Sequence, residues 1–214
     1  MRRNFETSLE GGKVGESLIA LWLMSQGYSV LPVYEKQVGD YKGPTLFQME
    51  RTLVAPDMLV MGSDRTFWVE AKHKSAFSWN RKYQIWTTGI DLHHYEHYMS
   101  VQESTPFPVW LYFLHKPGNE AKDTPDELKG KSPTGLFARP LSYLSQHEDH
   151  RWTKPMRGQQ HGMVYWESNC LLWLAGYQEL ERLRPQQYTH KTKISNMLDE
   201  TQECYWEFLF MQYQ

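Results

Sequence analysis

Hydrophobic positions along this chain alternate between two periods. Over residues 13–26 they take helical spacing, with Leu18-Ile19-Ala20-Leu21-Trp22-Leu23-Met24 apolar on nearly every side and Gly27 placed as a C-terminal cap, so the pattern predicts a largely buried helix. Residues 1–10 are polar and predict a short arm before Gly11-Gly12, while 28–34 reads as a strand and 35–52 as a polar loop. Two runs of apolar, β-branched and aromatic residues, 53–61 and 66–71, then flank Gly62-Ser63-Asp64-Arg65, which is turn chemistry between the strands of a hairpin. Residues 90–104 space Leu92, Tyr95, Met99 and Gln102 for a helix, and 108–114 reads as a buried strand bounded by Pro106 and Pro117-Gly118. Helix, strand, hairpin, helix, strand is the order of an α/β core with a central mixed sheet flanked by helices.

Beyond that core the pattern weakens. Residues 116–131 form a charged, Pro/Gly-rich loop, 136–145 predicts a short strand and a helical turn, and 147–162 is polar. Residues 163–167 and 170–174 flank Ser168-Asn169 and predict a second hairpin with a two-residue loop, followed by a helix over 178–184. The expected organisation is one domain over 1–184 and an appendage over 185–214. The appendage carries the apolar cluster Tyr205-Trp206-Glu207-Phe208-Leu209-Phe210, which is expected to dock on the domain or on a partner chain, as in a homodimer.

With 214 residues, 40% hydrophobic and 22% charged, the chain can bury a proper core, and its 9 Trp, 13 Tyr and 9 Phe exceed what a core alone needs. Its net charge of -2 provides no global field for a polyanion, so nucleic-acid binding would have to come from local basic patches. Two cysteines, Cys170 and Cys204, and no secretory signal pattern after Met1-Arg2-Arg3 lead to the expectation of a reduced, cytoplasmic protein, and no apolar run approaches a membrane span. A Gly-rich phosphate loop, a Ser-His-Asp order and a dinucleotide fingerprint are all missing, which argues against ATP-driven and hydride-transfer roles.

The candidate chemistry lies in the first hairpin. If 62–65 is a four-residue loop, Met61 faces Thr66, and the same register brings Asp57 opposite Glu70. The period of two puts Lys72 on that face as well. Opposed like charges destabilise a strand pair, and a divalent cation between them would remove the conflict. Upstream, Glu16 shares a helical stripe with Ile19, Ala20 and Leu23, a costly place for a carboxylate unless it is paired. Taken singly, Asp57 also reads as a strand-entry acid, Glu70 with Lys72 as a surface ion pair, and Glu16 as a solvated helix-start acid.

Pro56-Asp57 followed by Glu70-Ala71-Lys72, with Gly15-Glu16-Ser17 opening an apolar helix upstream, resembles the PD-(D/E)XK nuclease superfamily, in particular its resolvase-like branch. The resemblance implies a restriction-endonuclease-like core and Mg²⁺- or Mn²⁺-dependent hydrolysis of DNA phosphodiester bonds. It implies that Asp57, Glu70, the backbone carbonyl of Ala71 and Glu16, directly or through water, hold the metal, and that Lys72 positions the attacking water and stabilises the pentavalent phosphorus. Hard cations of this kind are held by oxygen ligands and keep several waters. RNA as substrate, or a catalytically silent nucleic-acid-binding or protein-interaction module of the same fold, is an alternative.

The interleaved basic and aromatic residues over 73–84 suit phosphate contact and base stacking, so Lys74, Arg81 and Lys82 are candidate nucleic-acid contacts, as are Arg151, Lys154 and Arg157. Gln84 joins them, since some branches of the superfamily carry a Gln after the lysine motif. His93, His94 and His97 raise a zinc reading, since His93 and His97 stand one helical turn apart, but no third or fourth ligand follows at a matching spacing.

Overall fold

In the computed structural model, described residues are 5–33, 44–49, 51–121, 124–153 and 162–184, with side chains from Lys13 onward. The elements are α1 (Phe5–Ser25), β1 (Ser29–Pro32), β2 (Thr45–Phe47), β3 (Thr52–Val54), β4 (Met58–Met61), β5 (Thr66–Lys74), β6 (Ser78–Asn80), β7 (Ile85–Asp91), α2 (Leu92–Ser104), β8 (Val109–His115), β9 (Gly135–Pro140), α3 (Leu141–Leu144), β10 (His150–Trp152), β11 (Met163–Glu167), β12 (Leu172–Ala175) and α4 (Tyr177–Arg182).

A six-stranded sheet in the order β1-β4-β5-β8-β9-β12 forms the centre. Its β5–β8 pair is parallel and its other pairs antiparallel, so the sheet is mixed. The architecture is α/β, a central mixed sheet flanked by helices. A parallel pair needs a crossover, and here it runs through β6, β7 and α2.

The alternation of side chains divides β5 and β8 between two layers. Leu111 and Phe113 pair with Glu70 and Lys72 and face a core that includes Tyr95, Tyr98 and Val101 of α2 and Val164 and Trp166 of β11. The intervening residues face α1, where Leu18, Ile19, Ala20 and Leu23 are buried and the Trp22 and Tyr112 rings lie 6.3 Å apart. Gly27 closes α1 at φ 85°, with Tyr28 N–H bonded to Leu23 C=O and Gly27 N–H to Met24 C=O. That double bond to the last turn is the Schellman arrangement a C-terminal glycine permits.

The first hairpin has the expected register, Met61 opposite Thr66. Several expectations need correction. The helix begins at Phe5 and takes in Gly11-Gly12, because glycine inside a helix costs only about 1 kcal/mol and need not end it. The run 53–61 is two strands, not one, since Pro56 interrupts the ladder; β3 pairs with β2, which lies in the stretch expected to be loop. Between β5 and α2 the chain makes an additional hairpin, β6–β7, so α2 begins at Leu92, with Ile90 and Asp91 still in strand.

The second expected hairpin does not form. β11 joins a four-stranded sheet ordered β10-β11-β7-β6, whereas β12 pairs with β9 in the central sheet, and a 3-10 turn at Ser168–Cys170 carries the chain between them. The tail 185–214, with Cys204 and the 205–210 cluster, lies outside the described residues. Among the described residues, no helix is long and apolar enough to cross a membrane.

Candidate active site

The end of β4 creates the site. Val69 pairs with Met58, so the next position on β5 facing that strand is Ala71, and the register sets it opposite Pro56. Proline has no N–H to give the ladder, so the Ala71 C=O is offered no ladder donor there. The Ala71 N–H turns to the neighbouring side chain and donates to Asp57 Oδ2 at 2.8 Å. Asp57 is held in turn by its own C=O, which accepts from Val33 N–H at 2.8 Å. Pro56 therefore stops the sheet and Asp57 caps the opened strand, leaving a carboxylate and a backbone carbonyl at one gap.

Glu70 projects from β5 on the α2 side and is only 1% exposed. Its Oε1 forms an ion pair with Lys72 Nζ, while Oε2 is buried with no hydrogen-bond partner. A charge buried this deeply is tolerated only when paired. Tyr98 of α2 brings its buried hydroxyl against Glu70; desolvation, then the Glu70 and Asp57 charges, raise that hydroxyl well above the usual tyrosine range.

Desolvation by burial pushes the Asp57 carboxyl well above the ordinary carboxylate range; the Glu70 and Glu16 charges add to it, and Lys72 and the Ala71 N–H oppose it. Burial would lower the Lys72 ammonium, but the Glu70 and Asp57 carboxylates outweigh it and hold the proton on more tightly than in a free lysine.

Glu16 comes from the opposite layer. α1 packs against β5 at Gly15, where a Cβ would stand 2.4 Å from His73 Cβ, so the missing side chain lets the helix sit directly on the strand. Glu16, next along, is close enough for its charge to act on Asp57. Among the described residues, however, no three His, Cys, Asp or Glu side chains are gathered closely enough to hold a metal ion. A hard divalent cation still suits the donor set: two carboxylates in mutual repulsion, a buried carboxylate oxygen without a partner and a backbone carbonyl outside the ladder. The unsatisfied Glu70 Oε2 is the observation that fits such an ion.

Asp91 and Tyr98, which the sequence did not single out for the site, and His94, which entered only through the zinc reading, act on the Glu70–Lys72 pair. Asp91, His94 and Tyr98 recur at i, i+3 and i+7, one face of a helix, and Tyr98 and His94 bring that face of α2 toward Glu70 and Lys72. The Asp91 charge acts on Lys72, Lys74 and Tyr98. His94 has a buried Nδ1 without a partner, and desolvation, followed by Lys72, lowers its pKa. The spacing was present in the sequence, but only the packed helix shows which face meets the strand.

The expected nucleic-acid contacts separate. Lys74 lies on β5 two residues past Lys72, on the face that carries Glu70 and Lys72. Arg81, Lys82 and Gln84 occupy the exposed turn of the β6–β7 hairpin, with Gln84 at φ 54°. Arg151 is engaged by Glu148, its Nη2 donating to Oε1 at 2.7 Å, and lies over the Tyr95 ring. Lys154 and Arg157 lie outside the described residues. His97 Nδ1 accepts from Val54 N–H at 3.2 Å, which ties α2 to β3 and accounts for this histidine without zinc.

No family model and no curated protein matches this sequence. Among solved structures, the chain is similar to Hjc, a Holliday junction resolvase from the archaeal hyperthermophile Archaeoglobus fulgidus, at 9% identity over 74% of this chain and 90% of that one, with a TM-score of 0.42.

Proposed function

We propose that this chain is a Mg²⁺- or Mn²⁺-dependent deoxyribonuclease that hydrolyses phosphodiester bonds within DNA, on a restriction-endonuclease-like core. The reading is carried by one observation: the Asp57 carboxylate is fixed to the Ala71 N–H at the point where Pro56 opens the sheet, beside the buried Glu70–Lys72 pair. Asp57, Glu70 and the Ala71 carbonyl would hold the ion, with Glu16 reaching it directly or through water. When bound, the ion relieves charge on the phosphoryl oxygens and favours ionisation of a bound water. Lys72 keeps its proton, and so donates hydrogen bonds to the attacking water and to the charge that develops at phosphorus. Among the described residues no three His, Cys, Asp or Glu side chains are preassembled, so the ion would be held weakly, with water and substrate completing its coordination.

The test is cleavage of supercoiled plasmid, linear duplex and single-stranded DNA, and of RNA, in Mg²⁺, Mn²⁺ and EDTA, beside Asp57→Asn and Lys72→Arg. Metal-dependent DNA cutting lost in both variants is the expected result; full activity in either overturns the assignment. That no three metal-ligating side chains are gathered among the described residues leaves a second reading, a silent nucleic-acid-binding module. Calorimetry with Mn²⁺ separates the two, since the enzyme binds the ion and loses it on Asp57→Asn, whereas the silent module gives no heat.

A further inference from the structure

We propose that Lys74 is a second catalytic lysine, the group that protonates the leaving oxygen as the phosphodiester breaks; the inference rests on the nuclease reading above. Glu70, Lys72 and Lys74 share one face of β5 at the period of two. Neighbours on that face are roughly 7 Å apart. An in-line displacement places the attacking and leaving oxygens on opposite sides of phosphorus. Two ammonium groups one step apart along a strand, with only the first tied to the metal-binding carboxylates, match those two sides.

The surroundings of Lys74 separate it from its neighbour. Lys72 is neutralised by Glu70. Among the described residues, the Lys74 ammonium makes no ion pair or side-chain hydrogen bond, although it is half-buried. A half-buried ammonium with no ion-pair partner among the described residues suits an anion that arrives with the substrate. The groups facing it are Lys72 and Glu70 on its own strand, Asp91 at the start of α2, and His115, its pair on β8. His115 is stacked on Phe77 with ring centroids 3.7 Å apart, and burial, with Lys74 next, pushes its pKa down to about 3, so it stays neutral. Desolvation, then the Lys72 charge, lowers Lys74 to about 8. A proton donor with its pKa near the working pH is an effective general acid.

The step balances. The water oxygen forms a new bond to phosphorus, the bond to the leaving oxygen breaks with its electron pair on that oxygen, and the oxygen takes a proton from the Lys74 ammonium. The attacking water's proton goes to solvent, and the Lys74 amine recovers one from solvent. The products are a phosphomonoester and an alcohol.

The experiment compares wild type, Lys74→Arg and Lys74→Met on an ordinary DNA substrate and on one with sulfur replacing the leaving bridging oxygen, since a thiolate leaves without a proton. Expected on the ordinary substrate is a loss in kcat of about 100-fold with KM little changed, shrinking to a few-fold on the sulfur substrate. Equal losses on the two substrates, or no loss on the ordinary one, overturn the proposal while the nuclease reading stands; a wild type that cuts neither substrate removes both. Titration of the Lys74 amine by NMR in the metal-free protein gives a second, activity-independent reading. A midpoint near that of a free lysine would also overturn it.

Discussion

Gly15 lies against His73 so closely that any Cβ on the helix would meet the strand residue's own Cβ at 2.4 Å. The atom in the way is not the mobile end of a side chain, so β5 or α1 must move. Gly15→Ala is expected to cost about 1–3 kcal/mol, the usual range for overpacking, and to displace Glu16 from Asp57. Thermal unfolding measures the first effect. Cleavage by the folded variant at low temperature measures the second, where activity should fall much further than that of a variant destabilised equally at Val14, on the exposed side of α1.

The raised pKa of Asp57 has a consequence for stability. The folded state binds this proton more tightly than the unfolded one, so between the unfolded and folded pKa values the native state holds more protons, and stability falls as pH rises. Above that window the full cost remains. Asp57→Asn removes it while keeping an oxygen for the Ala71 N–H, and is expected to raise Tm at neutral pH by about 2–4 °C for each kcal/mol recovered. Saturating Mn²⁺ should raise the wild-type Tm and leave the variant's unchanged. A variant less stable than wild type at pH 7 and no less stable at pH 4 would contradict the sign.

Glu70 and Lys72 are best tested as a pair. Removing only the lysine leaves a carboxylate that is 1% exposed without its counter-charge. Lys72→Met is expected to cost about 3–5 kcal/mol, and Glu70→Gln with Lys72→Met much less, because the double variant buries no charge. Urea denaturation of both variants checks this. Activity should be absent in each, which separates the stabilising role of the pair from its chemical one.

The parts of the fold that were legible in sequence are those set by local rules. A four-residue loop between two β-branched runs fixed Met61 against Thr66, and the period of two along β5 put Glu70 and Lys72 on one face. Partner choice is not local. Residues 163–167 and 172–175 have good strand character on either side of a turn, yet one pairs with β7 and the other with β9, because the Trp166 ring packs into the α2–α3 layer, its indole N–H donating to Leu144 C=O at 2.8 Å. The β6–β7 hairpin was hidden for a different reason: its turn contains no glycine, and Gln84 takes the left-handed conformation itself. Asp91 and Tyr98 stayed unread, and His94 was read only toward zinc, because α2 carries polar residues on both sides and only packing decides which of them face Glu70.

That turn also supplies the last test. Arg81 and Lys82 stand at the exposed end of the β6–β7 hairpin, and Lys82 Nζ bonds the Tyr83 hydroxyl at 2.7 Å while lying 4.6 Å from its ring centroid. Tyr83 is 51% exposed, so a cation and an aromatic face are presented together. If this turn contacts duplex phosphates, each neutralised charge contributes about 0.9 to the slope of log K against log salt. Lys82→Ala and Arg81→Ala are therefore each expected to reduce that slope by about 0.9 and weaken binding alike for all sequences, with kcat at saturating DNA unchanged. Binding titrations from low to moderate salt measure the slope. Unchanged slopes in both variants would move the DNA path away from this hairpin.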